Sequence, residues 1–300
     1  MSTVVGMITY NDAARREDLD DFVSNIAPKS TPFYSNLPKT EASNTLHEWL
    51  VDTYAASADN AVYEGADAVV ADLTQPTRRN NICQIFRKVV NVSDTERAVN
   101  VAGMKDVLAY QISKASTELA RDIEEALVAG TRASGATGVA RRLQGAISQI
   151  TTLKTARTSG TSLSETNFNN IQANIWANTD EAADEVYVGA RLKRVISGYT
   201  AGSTKNVNAA DKRLISSVDV YESDFGVHKI FAHREIPAAA GSAGLMAINS
   251  KLWNLAVLRP VKSTPLAKIG SSEKVMLEGE LTLVGKNEAG NSYEAGWNLG

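Results

Sequence analysis

The sequence predicts an α+β chain, and three observations carry that prediction. One apolar stripe of helical period is long enough to form a rod. A segment of about forty residues before it alternates like a strand hairpin yet has little apolar payload. Short strand signals then recur through the second half and dominate its end.

The 300 residues allow one large domain or about two of ordinary size. Apolar residues at 43% and charged residues at 22% suffice for a real core. Lys+Arg number 31 against 34 Asp+Glu, a net charge of −3. A general nucleic-acid binder carries a basic excess or a concentrated basic stripe, and neither is present. The single Cys83 excludes an internal disulfide, fits a reducing compartment and, between Ile82 and Ile85-Phe86, reads as a small packed residue. No run approaches the ~20 apolar residues that span a bilayer. The start, Met1-Ser-Thr-Val-Val-Gly6, lacks the basic region and apolar core of a signal peptide, so a cytoplasmic site of synthesis is expected.

In chain order, Asn11 or Asp12 caps a predicted helix from Ala13 to about Ile26, which Pro28 stops. Thr31-Pro-Phe-Tyr34 and Leu37-Pro38 then predict extended backbone, because a residue before proline is pushed out of the helical region. This stretch reads as an arm. From Glu48 to Val92 the pattern predicts a hairpin with two long limbs. Trp49, Val51 and Thr53-Tyr54 lead out, and Ile82, Gln84–Phe86 and Val89–Val92 return. The outgoing limb and tip carry only acid, at Asp52, Asp59, Glu64, Asp67 and Asp72. The return limb carries only base, at Arg78, Arg79, Arg87 and Lys88. Two readings stand side by side: pairing within the chain across the hairpin, and complementary docking onto neighbouring subunits. A long hairpin without a core is marginal alone.

Ser93-Asp-Thr-Glu96 has capping-box spacing. After Gly103, Met104, Leu108, Ile112, Ala115, Leu119, Ile123, Ala126 and Leu127 form the stripe, with Gly130 as its predicted C-cap. About 26 residues make a rod of roughly 40 Å, a spine rather than an ordinary helix. Lys114–Glu118 and Arg121–Glu125 are candidate pairs along it. Ser164 caps a helix to about Asn178 with Phe168, Ile171, Ile175 and Trp176 apolar. Glu185–Val188 is a short buried strand and Ala190–Ser197 a helix. Strand-like runs follow at Leu214–Tyr221, Val227–Ala232, Leu245–Asn249 and Leu252–Leu258. The tail reads as antiparallel strands at Val275–Leu277, Glu280–Val284 and Asn291–Trp297, turning at Asn287–Gly290.

No constellation supports catalysis. His47 and Glu48 point to opposite faces of a strand, and His228 and His233, five apart, do the same, so neither pair suits a metal. The glycine loops at 135–138 and 241–244 lack a phosphate-loop ending and a dinucleotide fingerprint. No Gly-x-Ser-x-Gly elbow occurs, no serine matches a His/Asp pair, and nothing selects two carboxylates. Neither cofactor nor metal is expected. Arg141-Arg142, near Arg132, are candidates for phosphate contact; the plainer reading pairs them with acids of this subunit or its neighbour. Trp49, Trp176, Trp253 and Trp297 are scattered, as core or interface anchors are.

In this order, the charged N-terminal helix, Thr31-Pro-Phe33, Thr45–Trp49, the acidic tip, Ser93–Gly103, the spine with Asp122-Ile-Glu124, and Arg141–Gly145 resemble the major capsid proteins of tailed bacteriophages. The resemblance covers most of the chain and is clearest over 28–145 and the strand-rich end. It implies the HK97-like fold: an N-terminal arm at 1–45, an extended E-loop at 46–92, a peripheral domain at 93–150 with 256–300, and an axial domain at 151–255. It also implies an icosahedral shell of hexamers and pentamers around double-stranded DNA, no enzyme activity, and assembly in the host cytoplasm into the virion.

Partners are then many copies of the chain, packaged DNA by weak nonspecific contact, a portal, and separate scaffolding or decoration proteins, with no membrane. No long N-terminal coiled coil is present to act as a fused scaffold, and Lys–Asn cross-linking has no readable signature. Contacts between subunits are expected at Phe33 and Trp49, at the acidic Asp52, Asp59, Glu64 and Asp67, and at the basic Arg78, Arg79, Arg87 and Lys88. Arg141 and Arg142 are the candidates to face DNA. The competing readings are a tail-tube subunit, against which the spine argues, a connector-ring subunit, and a soluble α/β enzyme using 151–255.

Overall fold

The computed structural model describes residues 31–68, 73–99, 106–157, 161–199, 219–237 and 242–298. The helix expected over 13–26, Asp72 and most of the 214–221 run lie outside them.

The arm is not extended throughout. Pro32–Asn36 forms a short helix, α1, with proline at its first turn, where the missing N–H costs nothing. The proline rule holds at Leu37, whose ψ of 129° is extended and ends α1. The chain then runs through β1 (Lys39–Glu41) into β2 (Leu46–Val51). β2 pairs antiparallel with β3 (Thr77–Ile82), Leu46 opposite Ile82 and Val51 opposite Thr77. The hairpin is therefore six residues deep on each side, not the full 48–92. Its expected return limb breaks at Cys83. Beyond that, β4 (Gln84–Ser93) leaves for a different sheet, where Phe86 and Val92 are buried.

Ser93 caps α2 (Asp94–Ala98), accepting from the Glu96 amide as the capping-box spacing implies. The spine is α3 (Val107–Ala129), 23 residues or about 35 Å. Its stripe packs as predicted, with Leu108, Ala115, Leu119, Ile123 and Leu127 buried. It starts later than expected, because Asp106 is its N-cap and accepts from the amides of Leu108 and Ala109. Of the expected i,i+4 pairs, Lys114–Glu118 gives way to a contact across elements: Glu118, with Asp122, flanks Lys88 of β4.

Gly130 closes the spine. A Cβ there would lie 2.3 Å from the Ala126 carbonyl, and one on Gly145 would lie 2.5 Å from the Gly130 nitrogen. The two glycines let the return segment press onto the helix end, where the Gly145 amide donates to the Gly130 carbonyl. That segment continues through α4 (Ala146–Gln149) and β5 (Lys154–Ala156). α5 (Glu165–Thr179), capped by Ser164, leads to β6 (Glu185–Val188) and α6 (Ala190–Ser197). β7 (Val220–Ser223), β8 (Gly226–Ala232), β9 (Ser242–Ile248), β10 (Trp253–Pro265), β11 (Ser272–Gly285) and β12 (Ser292–Asn298) complete the described chain.

Two larger sheets result. One, called the peripheral sheet after the domain expected there, has order β1-β10-β11-β4, and the second sheet has order β5-β12-β9-β6-β8-β7. The tail runs 275–277 and 280–284 are one strand, β11, paired with β10 and β4. β12 does not pair with β11 across the 287–290 turn; it crosses to the second sheet, antiparallel to β9. β12, within the range 256–300, thus lies in the second sheet, and Trp253–Leu255, within 151–255, begin β10 of the other sheet. One core joins the spine, the peripheral sheet and one face of the second sheet, around Phe33, Leu119, Ile123, Trp253, Leu283 and Tyr187. The other face of the second sheet packs on α5 and α6 through Phe168, Ile171, Val186, Leu192 and Trp297. Trp176, expected in that stripe, is instead half exposed beside Phe225.

Candidate assembly surfaces

Alternation fixes the base of the hairpin: His47, Trp49 and Val51 turn inward while Leu46, Glu48 and Leu50 stay exposed. Trp49 donates from Nε1 to the Gly285 carbonyl at 3.0 Å and packs on Ala42, Cys83, Ala256 and Val284. The deeper anchor is Asn81, which is 0% exposed. Its Nδ2 donates to the carbonyls of Leu283 (2.7 Å) and Gln144 (3.0 Å), and its Oδ1 accepts from the amides of Gln144 and Ile82. All its hydrogen-bonding capacity is used. No sequence signal singles out Asn81, because its partners lie 63 and 202 residues away.

Beyond this base the described parts of 52–76 form no strand or helix. Tyr54, Val62, Tyr63 and Leu73 are almost fully exposed, Tyr54 at 103%. Asp52, Asp59, Glu64 and Asp67 are exposed too, and none is in an ion pair among the described residues. Asp52 and Asp59 accept only from the nearby amides of Thr53 and Ala61.

The basic limb differs. Arg78 reaches Glu48 across the hairpin at 3.4 Å, and Arg79 reaches Glu288 at 4.0 Å. Lys88 reaches Asp122 at 2.9 Å, and Arg87 donates from Nε to Glu278 at 2.6 Å. Base is thus satisfied within the subunit while acid is left to solvent. Two earlier expectations change further. Phe33, expected at a neighbour contact, is 0% exposed in its own core, edge-on to Tyr187 and Trp253. Arg141, expected to face DNA, bonds Glu280 at 2.8 Å; Arg142 remains exposed.

Glu280 is one rung of a ladder on the open face of the peripheral sheet. Arg259 binds both Glu278 (2.8 Å) and Glu280 (3.0 Å), so Arg87, Glu278, Arg259 and Glu280 alternate across β4, β11 and β10, and Arg141 reaches Glu280 from the segment that follows the spine. The paired arginines hold the Glu278 carboxyl below its usual range, Arg87 most strongly. Ile85 and Val89, on the same face of β4, are 41% and 51% exposed. An open sheet face with aliphatic side chains and a surplus of guanidinium groups suits an acidic partner with apolar side chains. Elsewhere His228 is held between Ser223 Oγ (2.6 Å) and the Ala183 carbonyl, a structural role. Among the described residues no His/Cys/Asp/Glu group suits a metal, and no helix is long and apolar enough to cross a membrane.

The family profile described as SU10 major capsid protein matches residues 4–293. The major capsid protein of Escherichia phage Phieco32 is 26% identical, covering 93% of this chain and 94% of its own. Among solved structures, the capsid of a native GTA particle aligns at TM-score 0.68 with 8% identity, over 98% of this chain and 99% of that one. A Gordonia phage Cozz chain aligns at 0.65 with 11% identity, over 94% and 91%.

Proposed function

Because the chain belongs to the SU10 major capsid protein family and has the HK97-like fold of phage capsids, it is a major capsid protein of the virion, and we propose how it assembles. Its copies form hexamers and pentamers that close into an icosahedral head around double-stranded DNA. The role is structural rather than enzymatic. The observation that carries this reading is the loop at 52–76: acidic, aromatic and fixed at its base by Asn81 and Trp49, but without a core of its own. On this reading each copy lays that loop across the open face of a neighbour's peripheral sheet. The exposed tyrosines cover Ile85 and Val89, and the free carboxylates meet the arginine ladder. Repetition over a closed lattice turns many modest contacts into a stable shell.

Packaged DNA is met by weak, nonspecific contact, to which Arg142 but not Arg141 is free to contribute. Assembly takes place in the host cytoplasm with a portal, and with any scaffolding or decoration protein supplied as a separate chain.

The test is a loop replacement. Joining Val51 to Thr77 through a two-residue Asn-Gly turn keeps the β2–β3 pairing and spares β4. The wild-type protein is expected to form closed shells in electron micrographs, and the variant to stay as folded subunits or small capsomers. Normal shells from the variant refute the loop's role. Tubes or flat rings from the wild type refute the head assignment.

A further inference from the structure

We propose that Glu124 of the spine is a latch that creates helix α1 and so sets the course of the arm. The proposal rests on the assembly reading above. α1 has five residues, and its N-cap position, Thr31, makes no side-chain bond to it. A helix this short and uncapped is not stable alone. Its first amides find their acceptor far away in sequence: Glu124 Oε1 accepts from Phe33 N at 2.9 Å, and Oε2 from Tyr34 N at 2.7 Å.

A third donor converges on the same carboxylate. His233, which follows β8 of the second sheet, lies with Nε2 2.7 Å from Oε1. The Glu235 amide donates to His233 Nδ1 at 3.1 Å, so the ring carries its hydrogen on Nε2 and donates it to Glu124. Both Glu124 and His233 are nearly fully buried. One carboxylate therefore ties together arm, spine and second sheet.

Only a carboxylate fits. An amide at this position turns one oxygen into a donor, which then faces either Tyr34 N–H or the pair of Phe33 N–H and His233. No rotamer satisfies all three. Space to move is present. A cleft of about 440 Å³, bounded by Pro32, Glu124, His233, Arg121, Arg234 and Glu235, opens beside the latch. Release thus loosens the α1 backbone beside this space, while the spine stays folded and Phe33 and Leu37 remain seated in the core.

Hydrogen exchange with mass spectrometry on dispersed subunits tests this, because the readout needs no shells. Glu124→Gln is expected to speed exchange of the 33–37 amides at least about tenfold, with the spine over 112–128 unchanged. His233→Gln keeps an N–H donor at similar reach and is expected to retain protection, whereas His233→Leu loses part of it. These two also serve if Glu124→Gln fails to fold. Shells of Glu124→Gln, viewed by electron microscopy, are expected to be fewer and irregular. Unchanged exchange at 33–37 overturns the latch, and so does a rise shared equally by the spine, which makes Glu124 ordinary core support. Failure of wild-type protein to form shells overturns the assembly reading but leaves the exchange result standing.

Discussion

Replacing Phe33 by alanine separates two roles that the residue can have, an anchor in its own core or a contact for a neighbour. The ring is 0% exposed, with Tyr187 at 5.6 Å and Trp253 at 6.4 Å between ring centres, both edge-on. Removing a fully buried phenylalanine forfeits its transfer free energy and leaves a cavity, together about 3–5 kcal/mol. The edge-on contacts place Phe33 toward the upper end of that range. Phe33→Leu keeps most of the volume and is expected to cost about 1–1.5 kcal/mol. Urea unfolding of dispersed subunits, followed by tryptophan fluorescence, reads both, and Trp253 beside the ring is a local reporter. With a slope near 3 kcal/mol per M, the alanine variant shifts the midpoint by more than about 1 M. A cost below about 1 kcal/mol, combined with loss of shells, refutes the core assignment and returns Phe33 to the interface.

Gly145→Ala puts a methyl group 2.5 Å from the Gly130 nitrogen and 2.8 Å from the Ala126 carbonyl, both backbone atoms that cannot move aside cheaply. A loss of about 1–3 kcal/mol is expected, measured as a lower unfolding midpoint. Burial, reinforced by Glu280 and partly offset by Arg141, pushes the Cys83 thiol up to about 11. A thiol reagent at pH 8 is therefore expected to label Cys83 only on unfolding, and rapid labelling of native subunits contradicts its placement. Burial also pushes His228 below its ordinary 6.5, against the smaller opposing effects of the Ala183 carbonyl and Asp184. The unfolded chain then takes up a proton that the native chain refuses. This contribution is full above pH 6.5 and is lost as pH falls from there through the folded value. A His228→Asn variant is expected to show a flatter decline of thermal midpoint over that window.

The spine was legible because its signal is local: a stripe at spacings of three and four needs no knowledge of what it packs on. The Ser93 and Ser164 caps were legible for the same reason. What failed were statements about partners. Val89–Val92 reads as a strand whether it returns along the hairpin or, as here, joins β11, and only the register with Lys274 and Val275 distinguishes the two. β12 likewise has strand character in any sheet. The proline before Phe33 signals extension at Thr31, but a carboxylate 91 residues away rescues a turn of helix behind it. The site was half legible. Asp52, Asp59, Glu64 and Asp67, with no base nearby in sequence, have no ion-pair partner in the subunit among the described residues, whereas Arg87 and Arg141 found glutamates 191 and 139 residues away. Charge segregation is visible in sequence; which charges are already satisfied is not.

On the proposed reading, the core that the described parts of 52–76 lack is supplied by other copies of the chain. Hydrogen exchange of residues 52–68, compared between dispersed subunits and purified closed particles, tests it most directly. The account predicts fast exchange in the subunit, where Tyr54, Val62 and Tyr63 lie open to water, and marked protection in the particle. Equally fast exchange in both states contradicts it.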